Sequence, residues 1–347
     1  MGIQIKDFIE QMPKVELHVH LEGSVVPETL LILAQKNNIA LPANNLDELR
    51  EWYIFKDFDH FIEIYSIIAG CFRHADDIEL IAREFLIGQA KQNILYSEVT
   101  FTPYSQFAAS GLGFHEQMDA VERARLWANE ELGVDLGIIV DIPRMIPAKE
   151  GDVVADWVIE RYGDGLLIAL GLGGPEIGNP PEKFKTAFDK VRAKGIPCIL
   201  HAGETMGPES IWQAFQFADS LRIGHGVRAI EDPNLVEHLR EKQIPLEICP
   251  TSNICLKVYP SLEEHSLTQL LNEDLYITIN SDDPPMFNTT LTNEFLQLQG
   301  LHHWDTNLIE KLTFNALNAS LLSLEQKQAL TNKIQNQFKQ LRSQHSV

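Results

Sequence analysis

Residues 166–204 read LLIALGLGGPEIGNPPEKFKTAFDKVRAKGIPCILHAGE. An apolar run, Leu166–Gly173, ends in glycines, and a helix-compatible stretch, Pro181–Lys194, follows it. Proline stands near the start of that stretch and Gly195 just past its end, the usual asymmetry of helix caps. A second apolar run, Ile196–His201, then ends in a histidine. Strand, helix, strand in that order is the unit that builds parallel sheets. The same alternation runs along the rest of the chain. Lys14–His20, Ile94–Thr102, Val134–Asp141, Leu221–His225, Ile244–Cys249 and Leu275–Asp282 are further strand-like runs, with helix-like stretches such as Pro233–Lys242 between them. Eight strands alternating with helices predict an α/β fold, a single (β/α)8 TIM barrel spanning 1–347. A doubly wound sheet is the alternative, but the G-x-G-x-x-G turn that would open it is missing. Residues 24–93 read as a mostly helical insertion between strands one and two, over the C-terminal mouth where lids arise. The tail, 321–347, reads as a closing helix.

Composition narrows the partners. Lys and Arg number 28 against 49 Asp and Glu, a formal charge of −21 over 347 residues. Such a surface repels phosphate backbones and anionic lipid heads, so nucleic acid and membrane are not expected partners and a small molecule is. No apolar run approaches the ~18 residues of a membrane span, and the opening MGIQIKDFIEQMPKVE does not predict a signal peptide. Four cysteines without a C-x-x-C suggest neither a disulfide scaffold nor a thiolate metal site, which makes a cytoplasmic location the expectation.

The chemistry gathers at strand ends. His18 and His20 close the first strand at i and i+2, so both imidazoles face the same side of it. His201 ends strand five with Glu204 three residues on, His225 ends strand six, and Asp282 with Asp283 ends strand eight. Each has a plainer reading alone: a satisfied strand-end pair, a helix cap near Pro208, a turn histidine, a cap before Pro284. Together they sit at the C-terminal ends of barrel strands, where barrel enzymes keep their sites. Three or four histidines with one aspartate would fill a mononuclear zinc-type sphere and leave a place for water. The other histidines, His60, His74, His115, His238, His265, His302, His303 and His345, lack this register. They read as surface or packing residues, His265 the least firmly.

The ordered motifs PKVELHVHLEGS (13–24), HAGE (201–204), RIGHG (222–226) and SDDP (281–284) resemble the adenosine deaminase family of metal-dependent barrel hydrolases. The likeness extends to Ile68-Ala69-Gly70-Cys71, Tyr96-Ser97-Glu98-Val99 and Gly171-Leu172-Gly173-Gly174. The resemblance implies that His18, His20, His201 and Asp282 bind one Zn2+, with water as the remaining ligand. It implies that His225 orients that water and helps to deprotonate it, and that Glu204 protonates purine N1. Asp283 would meet N7, and the backbone N–H of Gly174 would meet N3. The implied reaction is hydrolytic conversion of a purine 6-amino group to a 6-oxo group, with adenosine as the expected substrate. Related two-metal hydrolases carry a bridging lysine at the end of strand four; this chain has Leu170-Gly171-Leu172-Gly173 there, so one metal is expected.

Two departures bear on the substrate. The family's nucleoside enzymes have L-D-G where this chain has Leu21-Glu22-Gly23, and that acid is implied to hold the ribose 5′-hydroxyl. Gly174-Pro175-Glu176 likewise replaces Gly-Asp-Glu. Both changes resemble bacterial branches acting on adenine, or on adenosine extended at the 5′ position such as aminodeoxyfutalosine. Phe58 and Phe61 align with a hydrophobic lid over the ribose side, although an amphipathic helix packed on the barrel reads the same way. Hydrolysis of an amide or ester, and a silent purine-binding protein, are the remaining alternatives. Glu204 and Asp283 argue against the first, since they match the two edges of a purine, and the complete set of acids and ligands argues against the second.

Overall fold

A computed structural model describes residues 5–43, 45–55 and 58–345. Its sheet has eight strands: β1 Lys14–His20, β2 Ile94–Phe101, β3 Asp135–Pro143, β4 Leu167–Gly173, β5 Cys198–Ala202, β6 Ile223–His225, β7 Leu246–Ile248 and β8 Ile277–Ile279. They pair in sequence order, all parallel. β8 closes back onto β1 through a bridge between Val19 and Asp282. Asn280 assists the closure: its side-chain oxygen accepts the N–H groups of Leu17 and His18 at 2.9 and 3.1 Å.

Four strands start two residues later than their hydrophobic runs suggest, β6 at Ile223 and β8 at Ile277 among them. β5 begins at Cys198 and β7 at Leu246, because Pro197 and Pro245 have no N–H to give to a ladder. Their carbonyls still accept, from Leu170 and Ile223 at 3.0 Å each.

Helices Pro27–Lys36, Leu46–Trp52 and Phe58–Gly70 follow β1, and helix Ala75–Lys91 then packs beside helix Phe114–Leu132 in the outer ring. Part of the 24–93 segment is therefore the barrel's own first helix. Phe61, Ile64 and Ile68 are buried along helix Phe58–Gly70, at the spacing that puts them on one face. The Phe61 ring stacks on Phe287 with centroids 5.5 Å apart, which fixes the helix across the barrel mouth. In the tail, helix Leu324–His345 buries Ile334, Phe338 and Leu341, and Phe338 stacks on Phe8 of helix Ile5–Gln11. Among the described residues no helix is long and apolar enough to cross a membrane.

Inside the barrel, Ile139, Ala169 and Ile199 form a small apolar patch on β3, β4 and β5. Two residues further along these strands stand Asp141, Gly171 and His201, facing the same side. The interior thus changes from apolar to polar as the strands reach the mouth.

Candidate active site

The ligating atoms of His18, His20, His201 and Asp282 all lie within 4.8 Å of one another, and all four residues are buried. His20 Nε2 is 3.1 Å from His201 Nε2, and Asp282 Oδ1 is 3.4 Å from His18 Nε2 and 3.3 Å from His20 Nε2. The far nitrogens of two of the rings are held from behind. His18 Nδ1 meets Glu247 at 2.8 Å, and His201 Nδ1 meets the Leu172 carbonyl at 3.1 Å. A carbonyl can only accept, so His201 carries its proton on Nδ1 and turns a bare Nε2 to the cluster. Burial and the neighbouring histidines hold His201 well below the usual imidazole range, which keeps it neutral. His18 Nε2 has no hydrogen-bond partner. A bare nitrogen facing another ring nitrogen beside a carboxylate is poor hydrogen bonding but a good donor set for a borderline cation such as zinc. The residues fit a metal.

Three features shape this cluster. Asp282 adopts φ +65° and His225 φ +61°, left-handed backbone that is uncommon outside glycine and that Asp and His tolerate better than most residues. The Ser252 hydroxyl donates to Asp282 Oδ2 at 2.7 Å. Behind His18, Arg222 binds Glu247 at 2.5 Å and Glu98 at 2.6 Å, with all three side chains buried. Burial alone would favour a neutral Glu247, but the Arg222 guanidinium and His18 hold its carboxyl below the usual range. Partners of this kind orient a ligand and set its basicity.

Glu204 and His225 stand beside the cluster, with Oε1 and Nε2 3.7 Å apart. Glu204 Oε1 has no hydrogen-bond partner. Burial, with Asp282 and Glu176 nearby, raises its carboxyl well above the usual range, so it stays protonated. The loop that presents it is tied to Glu176, which accepts the N–H groups of Gly203, Glu204, Thr205 and Met206 at 2.8–3.2 Å.

His225 ends a relay. The Leu267 N–H donates to His265 Nδ1 at 2.9 Å, His265 Nε2 meets Asn253 Oδ1 at 3.1 Å, and Asn253 Nδ2 meets His225 Nδ1 at 3.4 Å. Burial lowers both His265 and His225 to about 4, so both rings are neutral. A backbone N–H can only donate, which leaves the His265 proton on Nε2. That proton turns the Asn253 oxygen toward His265 and its NH2 toward His225. His225 therefore carries its proton on Nε2, toward the cluster. Asn253→Asp replaces the donor with an acceptor and reverses the tautomer. We expect turnover to fall about 10- to 100-fold, with the His225 ring 15N shifts in NMR reporting the exchanged proton.

A cavity of about 170 Å³ opens over the cluster, walled by His20, His201, Glu204, His225, Asp282 and Asp283 on the polar side and by Phe61, Tyr65 and Leu256 among others. Asp283 Oδ1 lacks a hydrogen-bond partner, and burial together with the Asp282 charge raises its carboxyl to about 8. A Cβ on Gly23 would lie 1.6 Å from that oxygen, so the carboxylate lies where only glycine leaves room. Gly174, at φ +97°, lines the cavity as expected, and so does Phe61. The Phe58 side chain lies outside the described residues.

Glu22 does not line the cavity. It is fully buried, with Oε1 accepting the Thr102 N–H at 2.9 Å and the Gln106 amide at 3.4 Å, and Oε2 accepting the Tyr65 hydroxyl at 3.2 Å. Thr102 and Tyr65 form the wall in front of it. The expected contact with a ribose 5′-hydroxyl is not offered, because Glu22 lies behind this wall and does not face the cavity.

The cavity also exposes residues that sequence reasoning passed over. Asp141 and Arg144, at the end of β3, both line it. Arg144 donates to the carbonyls of Asn179 and His201 at 2.7 and 2.5 Å. Burial raises Asp141 to about 7. A charged residue two steps beyond an apolar strand position was the available signal for Asp141. Nothing local marks Glu247 or Asn253, and Arg222 figures only as the first residue of the RIGHG motif.

The adenosine deaminase family model matches residues 13–337. An aminodeoxyfutalosine deaminase of Streptomyces avermitilis is 38% identical over 92% of this chain and 90% of its own. An adenine deaminase of Crocosphaera subtropica is 38% identical over 94% of this chain and 99% of its own. The crystal structure of an adenine deaminase from Arthrobacter aurescens, 29% identical, superposes with a TM-score of 0.90 over 94% of this chain and 99% of that one. An amidohydrolase from Burkholderia ambifaria, solved with bound zinc and 24% identical, shares the fold at a TM-score of 0.89 over 100% of this chain and 96% of that one.

Proposed function

The chain belongs to the adenosine deaminase family, and from that premise we propose that it hydrolyses the 6-amino group of adenine, giving hypoxanthine and ammonia. The carrying observation is the convergence on one cavity of four metal-type donors with two unpartnered carboxyl oxygens, on Glu204 and Asp283. His18, His20, His201 and Asp282 would hold one zinc ion, which when bound would supply water with its pKa lowered toward neutrality. The protein groups do the rest. Protonated Glu204 gives its proton to N1, which draws electrons from C6. Asp283 hydrogen-bonds N7, and the Gly174 N–H meets N3. His225 donates its Nε2 proton as a hydrogen bond to the entering oxygen, a different part from the deprotonation expected of it. Of the two water protons, one goes to the departing N6 and the other restores Glu204, so the C6–N6 bond breaks, ammonia leaves and the oxygen stays at C6.

Adenosine, the expected substrate, is not the reading these observations support. Its 5′-hydroxyl was to meet Glu22, and that carboxylate is engaged by Thr102, Gln106 and Tyr65. A base lacking ribose needs no such contact, and the adenine deaminase relatives align over nearly their whole length. The second reading is a 5′-extended adenosine. It is favoured by the Streptomyces relative and by a cavity that opens outward past Met145, which is 65% exposed. We place the enzyme in the cytoplasm, consistent with four cysteines that form no disulfide.

The test is kcat/KM for adenine, adenosine and aminodeoxyfutalosine on zinc-loaded protein, followed by ammonia release. We expect adenine to exceed adenosine by about 100-fold or more, since a ribose hydroxyl left without its partner is costly. Preference for aminodeoxyfutalosine would select the second reading, and preference for adenosine would restore the expectation that the structure argues against.

A further inference from the structure

Asp141 is a buried carboxylate with an unfilled role. It stands on β3, is 2% exposed, forms part of the cavity wall, and its Oδ1 receives no hydrogen bond. The neighbouring strand is shaped to admit it. A Cβ on Gly171 would lie 1.9 Å from Oδ1, and one on Gly173 would lie 2.2 Å from Oδ2. Two glycines on β4 therefore keep open the space that this carboxylate occupies. A buried carboxyl oxygen with no donor is unfavourable by itself, so a ligand that brings a donor to Oδ1 gains there.

The strand order indicates which part of the ligand that is. The strands follow one another around the barrel from β1 to β8. Glu204 follows β5 and Asp283 follows β8, so a purine with N1 at the first and N7 at the second presents C6 to the cluster. The opposite edge, N3–C4–N9, then faces the ends of β2, β3 and β4. Gly174, just past β4, can offer an N–H to N3. On the same side, both terminal nitrogens of Arg144 already donate to backbone carbonyls. Thr102 and Ser105 add hydroxyls. Among the described cavity residues from these strands, Asp141 is the acid. N9 of a free base carries hydrogen; N9 of a nucleoside does not.

We propose that Asp141 is a specificity-determining residue whose carboxylate accepts a hydrogen bond from the N9–H of the free base. The inference rests on the reaction proposed above and adds how the enzyme recognises a purine without a sugar. A substrate alkylated at N9 leaves the carboxylate unmet, and unmet buried groups discriminate more strongly than pocket size does.

The experiment compares wild-type protein with Asp141→Asn and Asp141→Ala, zinc-loaded and full-length, on adenine and 9-methyladenine, with zinc per chain and Tm recorded for each. Asp141→Asn should lower kcat/KM on adenine about 10- to 100-fold, chiefly through KM, and leave 9-methyladenine nearly unchanged, so that the preference collapses. Asp141→Ala should behave likewise, at unaltered zinc content. Equal losses on both substrates, or loss of zinc, would overturn the proposal, because the carboxylate would then serve the site as a whole. Wild-type rates on adenine in both variants would also overturn it while the reaction stands. A wild-type protein that does not deaminate adenine would overturn both.

Discussion

Glu204→Gln lowers kcat on adenine roughly 10²- to 10⁴-fold, the usual range for a lost general acid, with KM and zinc content close to wild type. The Glu204 carboxyl itself sets this expectation. It is buried, its Oε1 is unpartnered, and burial beside Asp282 and Glu176 keeps it protonated. An amide of nearly the same shape can still donate a hydrogen bond to N1 but cannot transfer a proton. Binding therefore survives while the step that makes C6 electrophilic does not. Because the native side chain is already neutral, the substitution removes no buried charge, and Tm should move little. Steady-state kinetics with hypoxanthine binding measured in parallel checks both halves. Retained binding with unchanged turnover would contradict the role given to Glu204.

Removing the metal gives an effect of comparable size. Chelation should reduce activity roughly 10³-fold or more, since activation of water by the ion is worth several kcal/mol. Zinc at one equivalent per chain should restore it. Stability follows the same equilibrium. An ion bound only by the folded state contributes about 4 kcal/mol when its free concentration is 1,000 times its Kd, so the chelated protein should melt at a lower temperature. His20 Nε2 and His201 Nε2 lie 3.1 Å apart and His18 Nε2 has no hydrogen-bond partner, a set of nitrogens that a cation would satisfy, so metal loss should be felt in stability as well as in rate. Activity that survives complete removal of divalent metal would contradict the assignment of the cluster.

The gathering of His18, His20, His201 and Asp282 was legible in the sequence because strand geometry is simple. His18 and His20 sit two apart on one strand, and His201, His225 and Asp282 fall at the ends of later runs whose apolar pattern is clear. The strand limits were less legible at β5 and β7, where Pro197 and Pro245 withdraw from ladders their apolar neighbours would extend. What surrounds the ligands was not legible, since it depends on contacts between distant segments. Glu22 is taken up by Tyr65, Thr102 and Gln106, which come from two other helices and the end of β2. The proton on His225 is set through Asn253 and His265 from the backbone of Leu267. His265 looked like one more histidine outside the register. Asp141 depends on glycines of a different strand, and its importance appears only once Gly171 and Gly173 are seen beside it.

The most direct test of the central claim is the fate of oxygen at C6. Zinc-loaded protein is incubated with adenine in H2(18)O, and the product is identified by mass alongside ammonia. The account predicts hypoxanthine carrying one 18O per ammonia released, formed by the wild type and strongly suppressed in Glu204→Gln. Adenine recovered unchanged, or ammonia released without labelled hypoxanthine, would contradict it.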